Sequence, residues 1–311
     1  MGDPRSPDPL RAPPVLICDV SPRDGLQNED VSLTPELRAE LVGRLLAAGC
    51  RAVEAGSVVR EDLVPQMAGS ETVVELCRDA AGQLALLVFN ERGLARACEA
   101  GAGAIHVAHP VTDEFAVRNQ GLPAAASLER NVRLIEAARA GGRRTVGILA
   151  ASFGCPFEGE VPPGRVAEHA QALQHAGAET IVLADTIGAA TPRAIREVLG
   201  VVVGETAAEL GLHLHNTRNA GYANAVAGLE AGIRRFDASV GGFGGCPFAP
   251  RATGNVATED LAWLLEREGA EHRLDIDALC ATGEWLGEQL GRPPPGLVHR
   301  AGRFPASPTP A

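Results

Sequence analysis

Val15-Leu16-Ile17-Cys18-Asp19-Val20-Ser21-Pro22-Arg23-Asp24-Gly25 is the stretch on which the fold turns. A short apolar run with β-branched residues that ends at once in Ser-Pro-Arg-Asp-Gly reads as a strand followed by a turn. Ser32-Leu33-Thr34-Pro35-Glu36 then opens a helix, with Thr34 as N-cap and Pro35 in its first turn, and Gly49 closes it. The same alternation recurs down the chain. Ala52 to Gly56 precedes helical sequence to about Ala81, and Ala85 to Phe89 precedes Glu91 to Ala100. Ala104 to Ala108 is followed, after a longer loop, by Leu128 to Ala140, and Arg144 to Phe153 by Val166 to Ala176. Thr180 to Ala184 leads to Pro192 to Leu210, and Leu212 to His215 to Gly221 to Gly232. Phe236 to Val240 and Thr258 to Glu268 make the last pair.

Eight strand–helix units at a spacing of roughly 30 residues predict an α/β fold of the (β/α)8 TIM-barrel type. A doubly wound sheet wants a Gly-rich phosphate turn after its first strand, where this chain has Pro-Arg-Asp-Gly, and NAD is set aside with it. The expected organisation is a flexible segment over 1–14, a catalytic barrel over 15–270, and a C-terminal part over 271–311. That last part holds one extra helix, Leu274 to Leu290, and a Pro-rich tail.

Composition removes whole classes of function. A net charge of -11 spread over 311 residues disfavours nucleic acid and anionic membrane as partners. No apolar run reaches the roughly 20 residues of a membrane span. Met1 to Pro14 is polar and Pro-rich, unlike a signal or transit peptide. Seven cysteines without a Cys-x-x-Cys pair suggest reduced thiols and a cytoplasmic location. All 28 basic residues are arginine, so neither lysine Schiff-base chemistry nor pyridoxal phosphate (PLP) catalysis is available, and a Walker-type loop is excluded.

In a (β/α)8 barrel the active site gathers at the C-terminal ends of the strands. The polar residues expected there are Arg23, Asp24 and Gln27 after the first strand, Glu54 on the second, Asp185 and Thr186 on the sixth, and His213 and His215 on the seventh. Gly241-Gly242-Phe243-Gly244-Gly245-Cys246-Pro247-Phe248 runs off the eighth, with Asn255 further along. His213 and His215 share one face of their strand. With Asp24 they offer two nitrogens and a carboxylate, to which Asn255 adds an amide oxygen. Such mixed ligation suits Mg2+ or Mn2+ ahead of Zn2+. His106 and His109 fall near the fourth strand's end and read as supporting or surface groups.

The glycine-rich run reads as hinges for a loop that closes over the mouth, bringing Cys246 to the cation. Gly154-Cys155-Pro156-Phe157 repeats the same residue types after the fifth strand, so the residues alone leave either cysteine as the reactive one. A cation that holds a substrate hydroxyl favours the alkoxide, whose collapse to a carbonyl breaks the adjacent carbon–carbon bond. Arg23 is placed to bind the enolate oxygen that results. This is aldol- or Claisen-type cleavage, or its reverse.

Ser21-Pro22-Arg23-Asp24-Gly25-Leu26-Gln27-Asn28-Glu29, Gly244-Gly245-Cys246-Pro247-Phe248-Ala249 and Thr253-Gly254-Asn255-Val256-Ala257-Thr258-Glu259-Asp260 resemble the 3-hydroxy-3-methylglutaryl-CoA lyase family, as do Val64-Pro65-Gln66-Met67 and Asp185-Thr186-Ile187-Gly188. These are metallolyase barrels with an Arg-Asp pair after the first strand. The resemblance spans about Val15 to Glu268. It implies cleavage of a 3-hydroxy-3-methylglutaryl-CoA-like thioester to acetyl-CoA and acetoacetate, a role in leucine degradation, and a homodimer. It makes Asp24, His213, His215 and Asn255 the metal ligands, Cys246 the catalytic thiol, Arg23 the enolate stabiliser, Gln27 a substrate contact and Glu54 a supporting acid.

Two departures stand out. The family more usually has Asp then Thr-Tyr-Gly after the second histidine, and this chain has Asn216-Thr217-Arg218-Asn219, which marks Asn216 and Arg218 as where substrate preference is decided. The loop Val107 to Glu114 matches only loosely. A different 3-hydroxyacyl-CoA substrate and a Claisen-condensing synthase are the alternatives, although synthases usually carry a further C-terminal domain. A non-catalytic scaffold would have no use for the Arg23, Asp24, His213, His215, Cys246 and Asn255 set.

Overall fold

In the computed structural model, which describes residues 13–245 and 254–304, strand β1 (Leu16–Asp19) pairs in parallel with both β2 (Ala52–Val58) and β8 (Arg235–Ala238). Between them run β3 (Leu84–Val88), β4 (Ala104–Pro110), β5 (Arg144–Ala150), β6 (Thr180–Asp185) and β7 (Glu209–Leu214), each beside its neighbours in sequence order, so the sheet is a closed eight-stranded barrel. The fold is the expected (β/α)8 barrel. Strands covered on both faces lack polar alternation, and β3, Leu84-Ala-Leu-Leu-Val88, is buried throughout.

The outer ring consists of α1 (Pro35–Ala47), α2 (Ser70–Leu76), α3 (Glu91–Glu99), α4 (Asp113–Gln120), α5 (Ala124–Ala140), α6 (Pro163–His175), α7 (Pro192–Val202), α8 (Gly221–Glu230) and α9 (Thr258–Arg267). Their apolar stripes bury outward-facing strand residues such as Ile17, Leu86, Ile105, Leu149, Ile181, Leu212 and Phe236 in one core. Thr34 caps α1 as expected, its side chain accepting the Leu37 N–H. No helix among the described residues is long and apolar enough to cross a membrane.

Four segments differ from the sequence reading. The long loop after β4 contains α4, with Asp113 and Glu114 in its first turn and Gly121 in the left-handed region at its end. The helix from Pro192 stops at Val202, because Glu209 and Leu210 are drawn into β7 opposite Thr180 and Ile181. The helical stretch before Ala81 is broken into two 3-10 turns flanking α2, with Gly69 in the left-handed region between them. Beyond α10 (Ile276–Leu290) the chain is docked as far as 304: the Leu297 and Val298 N–H groups donate to Asp260, and Arg292 pairs with Glu29. The short α11 (Val298–Ala301) lies in this segment.

Candidate active site and metal centre

Arg23 and Asp24 owe their place to a π-helical turn, Ser21–Gly25, in which the Val20 carbonyl accepts from both Arg23 and Gly25. Asp19, at the end of β1, pins that turn. One of its oxygens accepts from the Ser21 N–H at 2.8 Å and the Ser21 hydroxyl at 2.5 Å. The other accepts from Val240 N–H at 3.1 Å and Thr258 Oγ1 at 2.7 Å. Burial raises the Asp19 pKa to about 6, and the hydrogen bonds from Ser21 and Thr258 oppose it. The sequence reading passed over Asp19; its signal is one carboxylate at the end of an otherwise apolar strand.

The seventh strand ends at Leu214, and the chain beyond it pairs with the segment after the glycine-rich loop. His215 bridges to Asn255, Asn216 N–H donates to Gly254 O, and Val256 N–H to Leu214 O. This pairing carries Asn255 to the first-strand turn. Gly244 permits the close approach: its φ is +105°, and a Cβ there would stand 2.7 Å from Asn255 Nδ2 and 2.8 Å from the Asp24 carbonyl.

Asp24, His213 and His215 converge. The two Nε2 atoms face each other at 3.1 Å, and Asp24 Oδ2 lies 3.8 Å from that of His213 and 3.7 Å from that of His215. His213 Nδ1 lies 3.4 Å from Asp237 Oδ2 on β8, a carboxylate missed in the sequence that orients the ring and leaves Nε2 to the site. Burial alone lowers the His213 pKa; the Asp237 hydrogen bond and the charge of Asp24 outweigh it and lift it above the ordinary imidazole value. Burial pushes Asp24 up, but the Arg23 guanidinium and the two imidazoles hold its carboxyl well below the usual range.

This donor set fits a divalent cation. Two nitrogen lone pairs and a carboxylate oxygen point at one another in a buried place, and among the described residues no side-chain cation stands between them, Arg23 reaching only the other oxygen of Asp24. Asn255 is present as expected, but its amide nitrogen donates to Asp24 Oδ2 (2.9 Å) and to Phe243 O (3.1 Å). Its buried Oδ1 has no partner among the described residues, so acting as an oxygen ligand requires the amide to turn over.

Arg23 donates through Nε to Glu54 Oε2 and through Nη1 to Asp24 Oδ1, each at 2.5 Å. Glu54 is buried, and its second oxygen lies 2.7 Å from His106 Nδ1, so it holds Arg23 and stays out of the cavity. Gln27 lines the cavity with a buried Oε1 that has no partner among the described residues. Thr186 lines it too, whereas Asp185 spends both oxygens on the Ala189 and Ala190 N–H groups. Cys246 lies outside the described residues. Cys155 is buried and ties its loop to the start of α4, its sulfur accepting from Thr112 Oγ1 at 3.1 Å and Phe157 N–H at 3.5 Å. His109 faces the helices, 2.8 Å from His169, and burial drops its pKa to about 3.

Asn216 and Arg218 call for a correction, since neither lines the central cavity. Asn216 Oδ1 accepts the Gly221 N–H at the start of α8, and Arg218 Nη1 donates to the Ile187 and Gly188 carbonyls. Both side chains are spent on turns, and with Asn255 they line a neighbouring hollow. The cavity, open to solvent, adds Asn119 and Phe115 from α4, an element absent from the sequence reading.

The HMGL-like family model matches residues 14–286. The (R)-citramalyl-CoA lyase of Chloroflexus aurantiacus is 42% identical over 300 residues, covering 93% of this chain and 95% of that one. The hydroxymethylglutaryl-CoA lyase of Pseudomonas mevalonii is 38% identical, covering 89% and 93%. An HMG-CoA lyase from Acinetobacter baumannii, solved in complex with coenzyme A and 3-methylmalate, superposes with a TM-score of 0.87 at 34% identity, covering 95% of this chain and 98% of that one. The chain therefore belongs to the HMGL-like family, that of the hydroxymethylglutaryl-CoA lyases, and is an oxo-acid lyase.

Proposed function

We propose that this protein cleaves the carbon–carbon bond of a 3-hydroxyacyl-CoA thioester and releases acetyl-CoA. The observation that carries the reading is the convergence of Asp24, His213 and His215 on the cavity with Arg23 one residue away. Asp24, His213, His215 and a turned-over Asn255 would hold Mg2+ or Mn2+. When bound, the cation lowers the pKa of a hydroxyl and polarises a neighbouring oxygen. Arg23, fixed by Glu54 and Asp24, presents a permanent cation to the thioester oxygen, where negative charge grows as the bond breaks. Gln27 offers a further polar contact. Cys246 is assigned the protonation of the enolate carbon.

The substrates in the relatives' names, hydroxymethylglutaryl-CoA and citramalyl-CoA, both carry a tertiary hydroxyl β to the thioester and both yield acetyl-CoA by retro-Claisen cleavage. The second product is acetoacetate from the first and pyruvate from the second. A Mg2+- or Mn2+-supplemented assay over 3-hydroxyacyl-CoA thioesters, following acetyl-CoA release, tests the reading. Failure to turn over any member with Mn2+ bound would overturn it.

A further inference from the structure

The cavity is chemically two-sided. Arg23, Asp24, Gln27, His213 and His215 make one arc, from the β1 turn and β7. In an eight-stranded barrel β5 stands opposite β1, and β3 opposite β7. The facing arc, over β3 to β6, presents Leu87, Ala108, Ile148 and Ala184, with Phe115 of α4 above. Ile148 and Ala184 belong to a buried apolar cluster with Val146 and Val182, against which Ala108 packs. The polar side chains on this arc are Asn119 and Thr186, whose oxygen already accepts the Ala151 N–H. Among the described residues it holds no cation: Arg218 is bound to backbone carbonyls, and Arg118 stacks on Phe157 and pairs with Glu114.

From this asymmetry we infer that the substrate bears its free carboxylate on the carbinol carbon itself, so the ketone released is a 2-oxo acid and not a 3-oxo acid. The inference rests on the lyase reading and narrows its substrate. Hydroxyl and carboxylate on one carbon are neighbours, and both can face the arc that carries His213, His215 and Arg23. The remaining alkyl substituent then meets Ile148 and Ala184. A carboxylate one methylene further out would be laid on the apolar arc, losing water with no charged partner among the described residues. The bookkeeping of the step is closed. The bond from carbinol carbon to thioester α-carbon breaks, and its electron pair stays on the α-carbon as the enolate. The hydroxyl proton leaves to solvent, the carbinol becomes the ketone, and the α-carbon takes up one proton to give acetyl-CoA. Nothing is oxidised or reduced overall.

The test compares citramalyl-CoA with hydroxymethylglutaryl-CoA on the full-length, Mg2+-supplemented protein, and adds calorimetric titration with free citramalate and 3-hydroxy-3-methylglutarate in the presence of CoA. The expected kcat/KM ratio favours citramalyl-CoA by roughly 100-fold or more, in the range that a mispaired polar group imposes. Citramalate should bind more tightly by at least roughly tenfold, or 1.4 kcal/mol. Ile148→Gln, which puts an amide on the apolar arc, should narrow the kcat/KM ratio by raising turnover of the glutaryl thioester; Ala184→Ser serves if that variant does not fold. A ratio near one, a preference for the glutaryl thioester, or equal binding of the two acids overturns the inference and leaves the lyase reading standing. If neither thioester releases acetyl-CoA and neither acid binds, both fall.

Discussion

His106 Nδ1 lies 2.7 Å from Glu54 Oε1, both side chains buried in the barrel, while the other oxygen of Glu54 holds Arg23. The imidazole thus fixes from β4 a cation presented from β1. Burial pushes the Glu54 pKa up, but Arg23 and then His106 outweigh it, and the carboxylate is held below its usual range. His106→Leu should lower kcat by roughly tenfold to a hundredfold with KM little changed, because a buried carboxylate oxygen loses its donor and Arg23 its fixed aim. His106→Asn, with an amide nitrogen near the position of Nδ1, should recover most of that loss. Equal loss in both variants would mean that packing alone is at stake.

Metal affinity checks the triad directly. His213→Ala should abolish Mn2+ binding measured by calorimetry, and Asp237→Asn should weaken it by about 10–100-fold. Protons compete for His213 Nε2, and a raised pKa extends that competition upward, so binding weakens as pH falls through a value above the ordinary imidazole range. Asp237→Asn replaces the charged acceptor with a neutral amide, which raises the His213 pKa less, and should move that loss to lower pH.

The two cysteines should separate cleanly. Cys246→Ala is expected to cost roughly 10²–10⁴ in kcat, the range of a lost proton donor. Cys155→Ala should keep turnover near that of the parent and lower thermal stability, since its sulfur accepts one hydrogen bond within its own loop and one from Thr112 at the start of α4. Abolition of turnover by Cys155→Ala alone would reverse the assignment.

Gly244→Ala tests how Asn255 is delivered. A methyl group 2.7 Å from Asn255 Nδ2, on backbone with φ of +105°, must push the amide or the turn aside. The strain is about 1–3 kcal/mol. Mn2+ affinity should fall at least tenfold while far-ultraviolet circular dichroism stays that of the parent.

Glu259 predicts a pH effect on stability. Burial raises its pKa to about 8, although the Gly241 N–H donates to Oε2 at 3.0 Å. Between an ordinary carboxyl pKa and 8 the folded protein keeps a proton that the unfolded chain has released, so this group's contribution falls as pH rises. Between pH 5 and 8.5 the loss is on the order of a few kcal/mol. Urea unfolding of Glu259→Gln should show a smaller decline over that interval; an unchanged slope would place the titration elsewhere.

The order of strands and helices was legible in the chain because each strand is a short apolar run closed by a turn, a local signal that the barrel satisfies eight times over. Asp24, His213 and His215 were legible for the same reason: strand ends and side-chain alternation are local, and barrel closure brings the seventh strand within one strand of the first. Tertiary structure alone decided what each polar group spends itself on. Asn216 and Arg218 sit one and three residues past a site histidine, yet their hydrogen bonds go to the turns before α8 and after β6. Asp237 and His106 are inconspicuous in sequence but stand behind His213 and Glu54. A hydrogen bond is set by approach within about 3 Å across the barrel, and neither composition nor spacing records which strands face each other at that distance.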